Sequence, residues 1–170
     1  MRRSLTSLQE KITETLLQDL QEKKLREIEV RSLCRESGVG RASFYRNYER
    51  VEDILTVYAE KLLQDWALLQ EPDSSPESRF LALFMHIKQY RALYRPLFEN
   101  RLGYPLLEML KENGALFPLA GSEKDKKIFV LYGLYGWITE WVLQGMKGSP
   151  QEMSLTVARY WSSFAEDALR

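Results

Sequence analysis

Apolar residues recur at spacings of three and four along most of this chain. Leu5, Leu8, Ile12, Leu16 and Leu20 trace one such stripe, the period of a single helix face. With Thr6 and Gln9 placed for a reciprocal cap, the stripe predicts a helix over about 5–23. Val30, Leu33 and Cys34 form the face of a second segment, 30–37, which stops at Gly38. Glycine enters the left-handed conformation that ends helices without steric cost. After Val39 and Gly40 a short helix is expected at about 41–47. Ile54, Leu55, Tyr58, Leu62 and Trp66 then trace a longer one over about 52–70. Prolines, serines and an aspartate at 72–76 make the clearest break.

The second part of the chain reads as helices too. Ser75-Pro76 sets an N-cap and a first-turn proline for a helix to about 92, and Pro96 is expected to interrupt the pattern. A helix over about 105–113 should end at Gly114. Ser122 should cap a long helix, 123–145, ending at Gly145. Ser149-Pro150-Gln151-Glu152 combines an N-cap, a first-turn proline and a capping-box glutamate before a last helix at about 151–169. No alternating strand pattern, repeat or low-complexity tract is present. The expected fold class is all-α, with a three-helix head at 1–51 and a helical body at 52–170.

Composition adds limits rather than an identity. Hydrophobic residues make up 45% and charged residues 28% of the 170, values of a chain that folds around a core. Formal net charge is zero, so no basic excess argues for nucleic acid. The distribution is uneven, however. Residues 1–50 hold eleven Lys/Arg against eight Asp/Glu and the remainder thirteen against sixteen, so the head side carries +3 and the body −3. That polarity suits a head that meets phosphates. The lone cysteine, Cys34, forbids an intramolecular disulfide. The Met-Arg-Arg start lacks an apolar signal core, and the longest apolar run, 129–138, is well short of a bilayer span. A cytoplasmic protein without a membrane partner is expected.

The chemistry concentrates in residues 28–55. Two short helices joined by a three-residue turn with glycine have the geometry of a helix-turn-helix, which sends its second helix into the major groove while the first crosses the backbone. Ile28, Val30, Leu33, Cys34, Val39, Phe44, Tyr48 and Ile54 can close a small core. Arg41, Ser43, Tyr45, Arg46 and Asn47 are then left to project outward. Arginine pairs bidentately with guanine, and hydroxyl and amide groups hold phosphates or base edges.

This stretch resembles the DNA-binding head of TetR-family regulators, in Gly38-Val39, Arg41-Ala42-Ser43-Phe44-Tyr45, Tyr48 and Glu52-Asp53-Ile54-Leu55. The resemblance implies that Arg41, Ala42, Ser43, Tyr45, Arg46 and Asn47 face the groove and that Arg31 reaches a base or phosphate from the preceding helix. Two positions depart from the family pattern. Glu29 stands where a capping Thr or Ser is usual, and Val51 where a phosphate-touching Lys is common. Arg50 is placed to replace the second contact. A fainter resemblance in the body runs through Phe84, His86-Ile87-Lys88, Tyr94, Leu97-Phe98, Tyr132-Gly133, Gly136, Trp141, Gly145 and Ser149-Pro150. It points to the subgroup linked to dihydroxyacetone-kinase-type operons.

The helix at 123–145 is apolar nearly all round, so it must be covered on every side. Phe129, Gly133, Gly136 and Trp141, with Val157, Trp161 and Phe164 on the last helix, are candidate contacts of a homodimeric four-helix interface. The same stripes could also fill a monomer core. A two-fold dimer would present two heads to a palindromic duplex, and the resemblance implies the same, with repression as the family's usual effect. Tyr90, Tyr94, Phe98, Phe117 and Trp137 could line a pocket for a small-molecule effector, or simply pack.

His86 is the sole histidine. No metal site, cofactor or catalytic residue is expected, because no nucleophile–base pair, ligand spacing or phosphate-cradling loop stands out. The rival reading is a protein-binding regulator whose helix-turn-helix has lost DNA.

Overall fold

The computed structural model describes residues 6–71, 74–113 and 124–166, with backbone alone at 76, 124–127 and 161–166. Among the described residues the regular structure is entirely helical. In chain order the helices are α1 (Ser7–Asp19), α2 (Val30–Ser37), α3 (Arg41–Tyr45), α4 (Glu52–Leu68), α5 (Pro76–Gln89), α6 (Arg91–Glu99), α7 (Tyr104–Glu112), α8 (Lys124–Leu143) and α9 (Pro150–Glu166). A 3₁₀ turn, Leu25–Glu27, lies between α1 and α2; the periodicity did not announce it. None of the helices is long and apolar enough to cross a membrane. No group of three or more His, Cys, Asp or Glu among the described residues is placed to hold a metal ion.

The local signals act where they stand. Thr6 caps α1 through the Gln9 amide (3.3 Å), and Gln9 Oε1 accepts from the Thr6 amide at 2.9 Å. Ser149 and Glu152 make the same reciprocal pair before α9, at 3.1 and 2.7 Å. Each cap satisfies amides that the first helical turn leaves without partners.

Pro96 does not interrupt. The chain breaks instead at Tyr90 (φ −98°, ψ 33°), and Pro96 lies inside α6. A proline in a helix interior costs about 3 kcal/mol or more. Burial of Leu93, Tyr94, Leu97 and Phe98 on one face of α6, at about 1.5–3 kcal/mol for each large apolar side chain, outweighs it.

One buried apolar cluster runs from Ile12 to Ala158. α4 ties its two ends together: it packs on α1 at one end and on α6 and α7 farther along. α9 lies along α5, and α8 along α6 and α7. Gly103 is the most crowded of the described glycines. A Cβ there would stand 2.6 Å from the Phe98 ring and 2.9 Å from the Tyr135 hydroxyl.

Candidate nucleic-acid interface

α2 and α3 are held at a fixed attitude by a turn with three consecutive locks. Gly38 ends α2 in the left-handed conformation, φ 69° and ψ 15°. The Val39 amide then donates to the Cys34 carbonyl at 3.0 Å, the closure of a glycine-terminated helix. Gly40 starts α3, its carbonyl accepting from the Ser43 and Phe44 amides at 2.9 and 3.0 Å. Below the turn, Leu33, Cys34, Val39, Phe44, Tyr48, Ile54 and Leu55 are buried. Phe44 is fully enclosed and packs on Tyr48, with ring centroids 5.6 Å apart. Burial pushes the Tyr48 phenol up to about 12, against a hydrogen bond with Gln9 that lowers it.

Above the turn the surface is basic. Arg31, Arg41, Ala42, Tyr45, Arg46, Asn47 and Arg50 are all exposed, and Ser43 is half-buried. Arg31, Arg41 and Arg46 have no carboxylate within 4.0 Å among the described residues. Arg50 stands 4.0 Å from Asp53, whose other oxygen accepts the Glu49 and Arg50 amides at 2.8 Å and so holds the entry to α4. Tyr45 is 54% exposed, its ring set edge-on to Phe44 at 5.2 Å. The cationic and aromatic tips are thus presented to solvent by a rigid apolar base.

Two of the expected polar groups are already engaged. α3 ends at Tyr45, two residues before the sequence pattern suggests, because Asn47 turns back and donates through Nδ2 to the Ser43 carbonyl at 2.8 Å. Arg46 Nη2 donates to Ser43 Oγ at 2.7 Å. Ser43 and Asn47 therefore orient the guanidinium and the end of α3, and Arg41, Tyr45 and Arg46 carry the free donors.

The two departures from the family pattern have different physical meanings. Glu29 makes no side-chain cap to α2, so the first amides of that helix have no side-chain acceptor. Val51 is only 6% exposed and belongs to the core; its side chain is packing, not a lost phosphate contact. Periodicity could have found this, since Val51, Ile54 and Leu55 share one helical face. Cys34 is buried and its thiol is pushed up by burial, with the Arg41 charge opposing.

The other expected groups separate. Tyr94 is buried and its hydroxyl lies 2.9 Å from His86 Nε2. Tyr90 packs on the same imidazole, centroids 4.9 Å apart. Phe98 lies farther along α6 against Tyr135, at 6.0 Å. Trp137 is not with them. It is 37% exposed and meets Tyr160 on the α8–α9 surface at 5.6 Å. Phe117 lies outside the described residues, as do Gly114 and Ser122.

Of the residues expected at an interface, Trp141 and Val157 are buried in the chain's own core. Trp141 packs edge-on against Phe84 at 5.2 Å and donates through Nε1 to the Lys147 carbonyl at 2.8 Å. Phe129 is 66% exposed, and among the described residues no atom lies within 4 Å of a Cβ built at Gly133 or Gly136. Trp161 and Phe164 have no described side chains. One face of α8 is therefore covered by the chain itself (Val130, Leu131, Leu134, Ile138, Trp141 and Val142). The other presents Phe129, Tyr132, Gly133, Gly136 and Trp137 to solvent.

Against known proteins, the chain matches no family model and no curated protein.

Proposed function

We propose that this protein is a DNA-binding transcriptional regulator of the TetR type, a repressor that grips duplex DNA as a homodimer. The observation that carries the reading is the α2–turn–α3 unit. A buried Phe44 and a left-handed Gly38 fix a short helix whose Arg41, Tyr45 and Arg46 stand exposed, the two arginines with no carboxylate within 4.0 Å among the described residues. In this reading Arg41 and Arg46 reach guanine edges or phosphates, where planar guanidinium makes bidentate contacts. Ala42 leaves room for the groove wall. Arg31 and Arg50 hold the flanking phosphates, and the uncapped start of α2 supplies backbone donors that an anion can accept.

The surface of α8 is what supports the dimer in this reading. An exposed apolar stripe with two glycines is an unusual surface for a monomer to leave in water, and Gly133 and Gly136 allow another helix to approach closely. A two-fold pairing through this face places two heads on the two halves of a palindrome. An effector in the body would act only by favouring one spacing of the heads over another. The retained second reading is a protein-binding regulator; Glu29, a carboxylate at the start of α2 with no cation within 4.0 Å among the described residues, is the residue that favours it.

The test is fluorescence anisotropy on labelled duplex DNA at two salt concentrations, with Arg41→Ala/Arg46→Ala alongside. The reading expects salt-sensitive binding by the native protein and a loss of about thirtyfold or more in the variant, for two contacts each worth about 1–3 kcal/mol. Equal binding by both proteins, or none at low salt, would leave the protein-binding reading.

A further inference from the structure

α6 has two faces. Leu93, Tyr94, Leu97 and Phe98 point into the core, while Arg91, Ala92, Arg95, Glu99 and Asn100 are exposed. That outer face is one wall of an open cleft of about 900 Å³. The opposite wall is the end of α1, the following turn and the 3₁₀ segment. The volume is within the range of small-molecule sites, about 300–1,000 Å³. Leu17, Leu20, Leu25, Ala92 and Pro96 supply apolar lining.

The polar lining is unbalanced. Lys23, Lys24, Arg26, Arg91 and Arg95 face three glutamates, Glu22, Glu27 and Glu99. Glu99 is held by Arg95 at 2.8 Å, and Glu27 accepts the Lys24 amide at 3.1 Å. Lys23 is taken by Asp19 at 2.6 Å. Lys24, Arg26 and Arg91 have no acidic partner within 4.0 Å among the described residues. Free cations on both walls above an apolar lining complement a molecule with an anionic end and an apolar body.

We propose that this cleft binds a small amphipathic organic anion, with its apolar body against Leu17, Leu20 and Pro96 and its anionic end between Lys24, Arg26 and Arg91. The occupant bridges α1 and the 3₁₀ turn, which belong to the head, to α6, which belongs to the body. Binding there fixes the placement of one relative to the other. That regulatory consequence rests on the DNA-binding reading; the site itself does not.

Octanoate is the probe and octan-1-ol its uncharged counterpart, each titrated into the full chain and followed by ¹H–¹⁵N spectra. Saturable octanoate shifts should cluster on residues 20–27 and 91–100. The alcohol should bind at least about tenfold more weakly, since it forfeits the charge-assisted contacts. Lys24→Glu/Arg91→Glu should lose the octanoate response while keeping a folded spectrum, and Ala92→Trp, which fills the lining, should lose it as well. Shifts confined to the α8 surface, equal affinity for acid and alcohol, an unchanged response in both variants, or no saturable response at all would overturn the proposal. Octanoate binding without duplex binding would keep the site and remove the DNA reading. Duplex binding without octanoate binding would remove the site alone.

Discussion

Replacing Gly38 by alanine tests the turn that aims α3. At φ 69° an alanine is forced into the left-handed region, at a cost of about 1–2 kcal/mol. No packing clash adds to this, because a Cβ at that position meets nothing within 4 Å among the described residues. The shorter list of unfolded conformations returns about 0.4–1 kcal/mol, leaving a net loss of about 1 kcal/mol. For a chain of this size that corresponds to a fall of about 2–4 °C in Tm. Gly40→Ala is the internal control. Gly40 has φ −66° and ψ 139° and an equally open surrounding, so any residue adopts its conformation. The entropic gain is offset there by alanine's weakness as an N-cap, and the variant should stay within about 0.5 kcal/mol of the native protein. Urea unfolding followed by circular dichroism measures both, at one fixed protein concentration because association would contribute to stability. Gly38→Ala as stable as Gly40→Ala would refute the assignment of a left-handed end to α2, and with it the fixed attitude of α3.

Three further outcomes follow from the packing. Gly103→Ala places a methyl 2.6 Å from the Phe98 ring, and thermal unfolding should register a loss of about 1–3 kcal/mol from overpacking. Burial holds His86 at about 4, below the roughly 6.5 of an unfolded histidine, so the unfolded chain takes up this proton first as pH falls. Stability from this group is complete above about pH 6.5 and declines towards pH 4, by at most about 3 kcal/mol. His86→Gln should flatten that part of the pH profile relative to the native protein, and parallel profiles would count against it. Phe129→Glu/Trp137→Glu puts charge on the exposed α8 stripe; sedimentation should find a native dimer and a variant monomer, and a native monomer would end the dimer proposal.

The features legible in the sequence are those decided within four residues. The Thr6–Gln9 and Ser149–Glu152 caps and the Gly38 stop need only residue type and spacing. So does the apolar base of the α2–α3 unit, whose members share faces of short helices. Tertiary packing decided the rest. Pro96 sits inside a helix because four buried neighbours hold α6 together, which no local rule weighs. α8 is apolar on both faces, so its periodicity cannot say which one the chain covers. Trp141 turned out to be core, held by Phe84 and the Lys147 carbonyl, while Trp137 four residues earlier is exposed. The engagement of Ser43 and Asn47 at the end of α3 was also hidden, since it depends on where the helix ends. The α1–α6 cleft joins residues about seventy positions apart and leaves no trace in any single window.

The central claim is that α3 reads duplex DNA, and selection from a pool of randomised duplexes tests it most directly. The native protein should enrich a palindromic motif whose half-sites lie about 10 base pairs apart, or a multiple of that, centre to centre. Arg41→Ala/Arg46→Ala should enrich nothing. A native protein that enriches no motif, and that also fails to retain any duplex at low salt where phosphate contacts alone suffice, would contradict the claim.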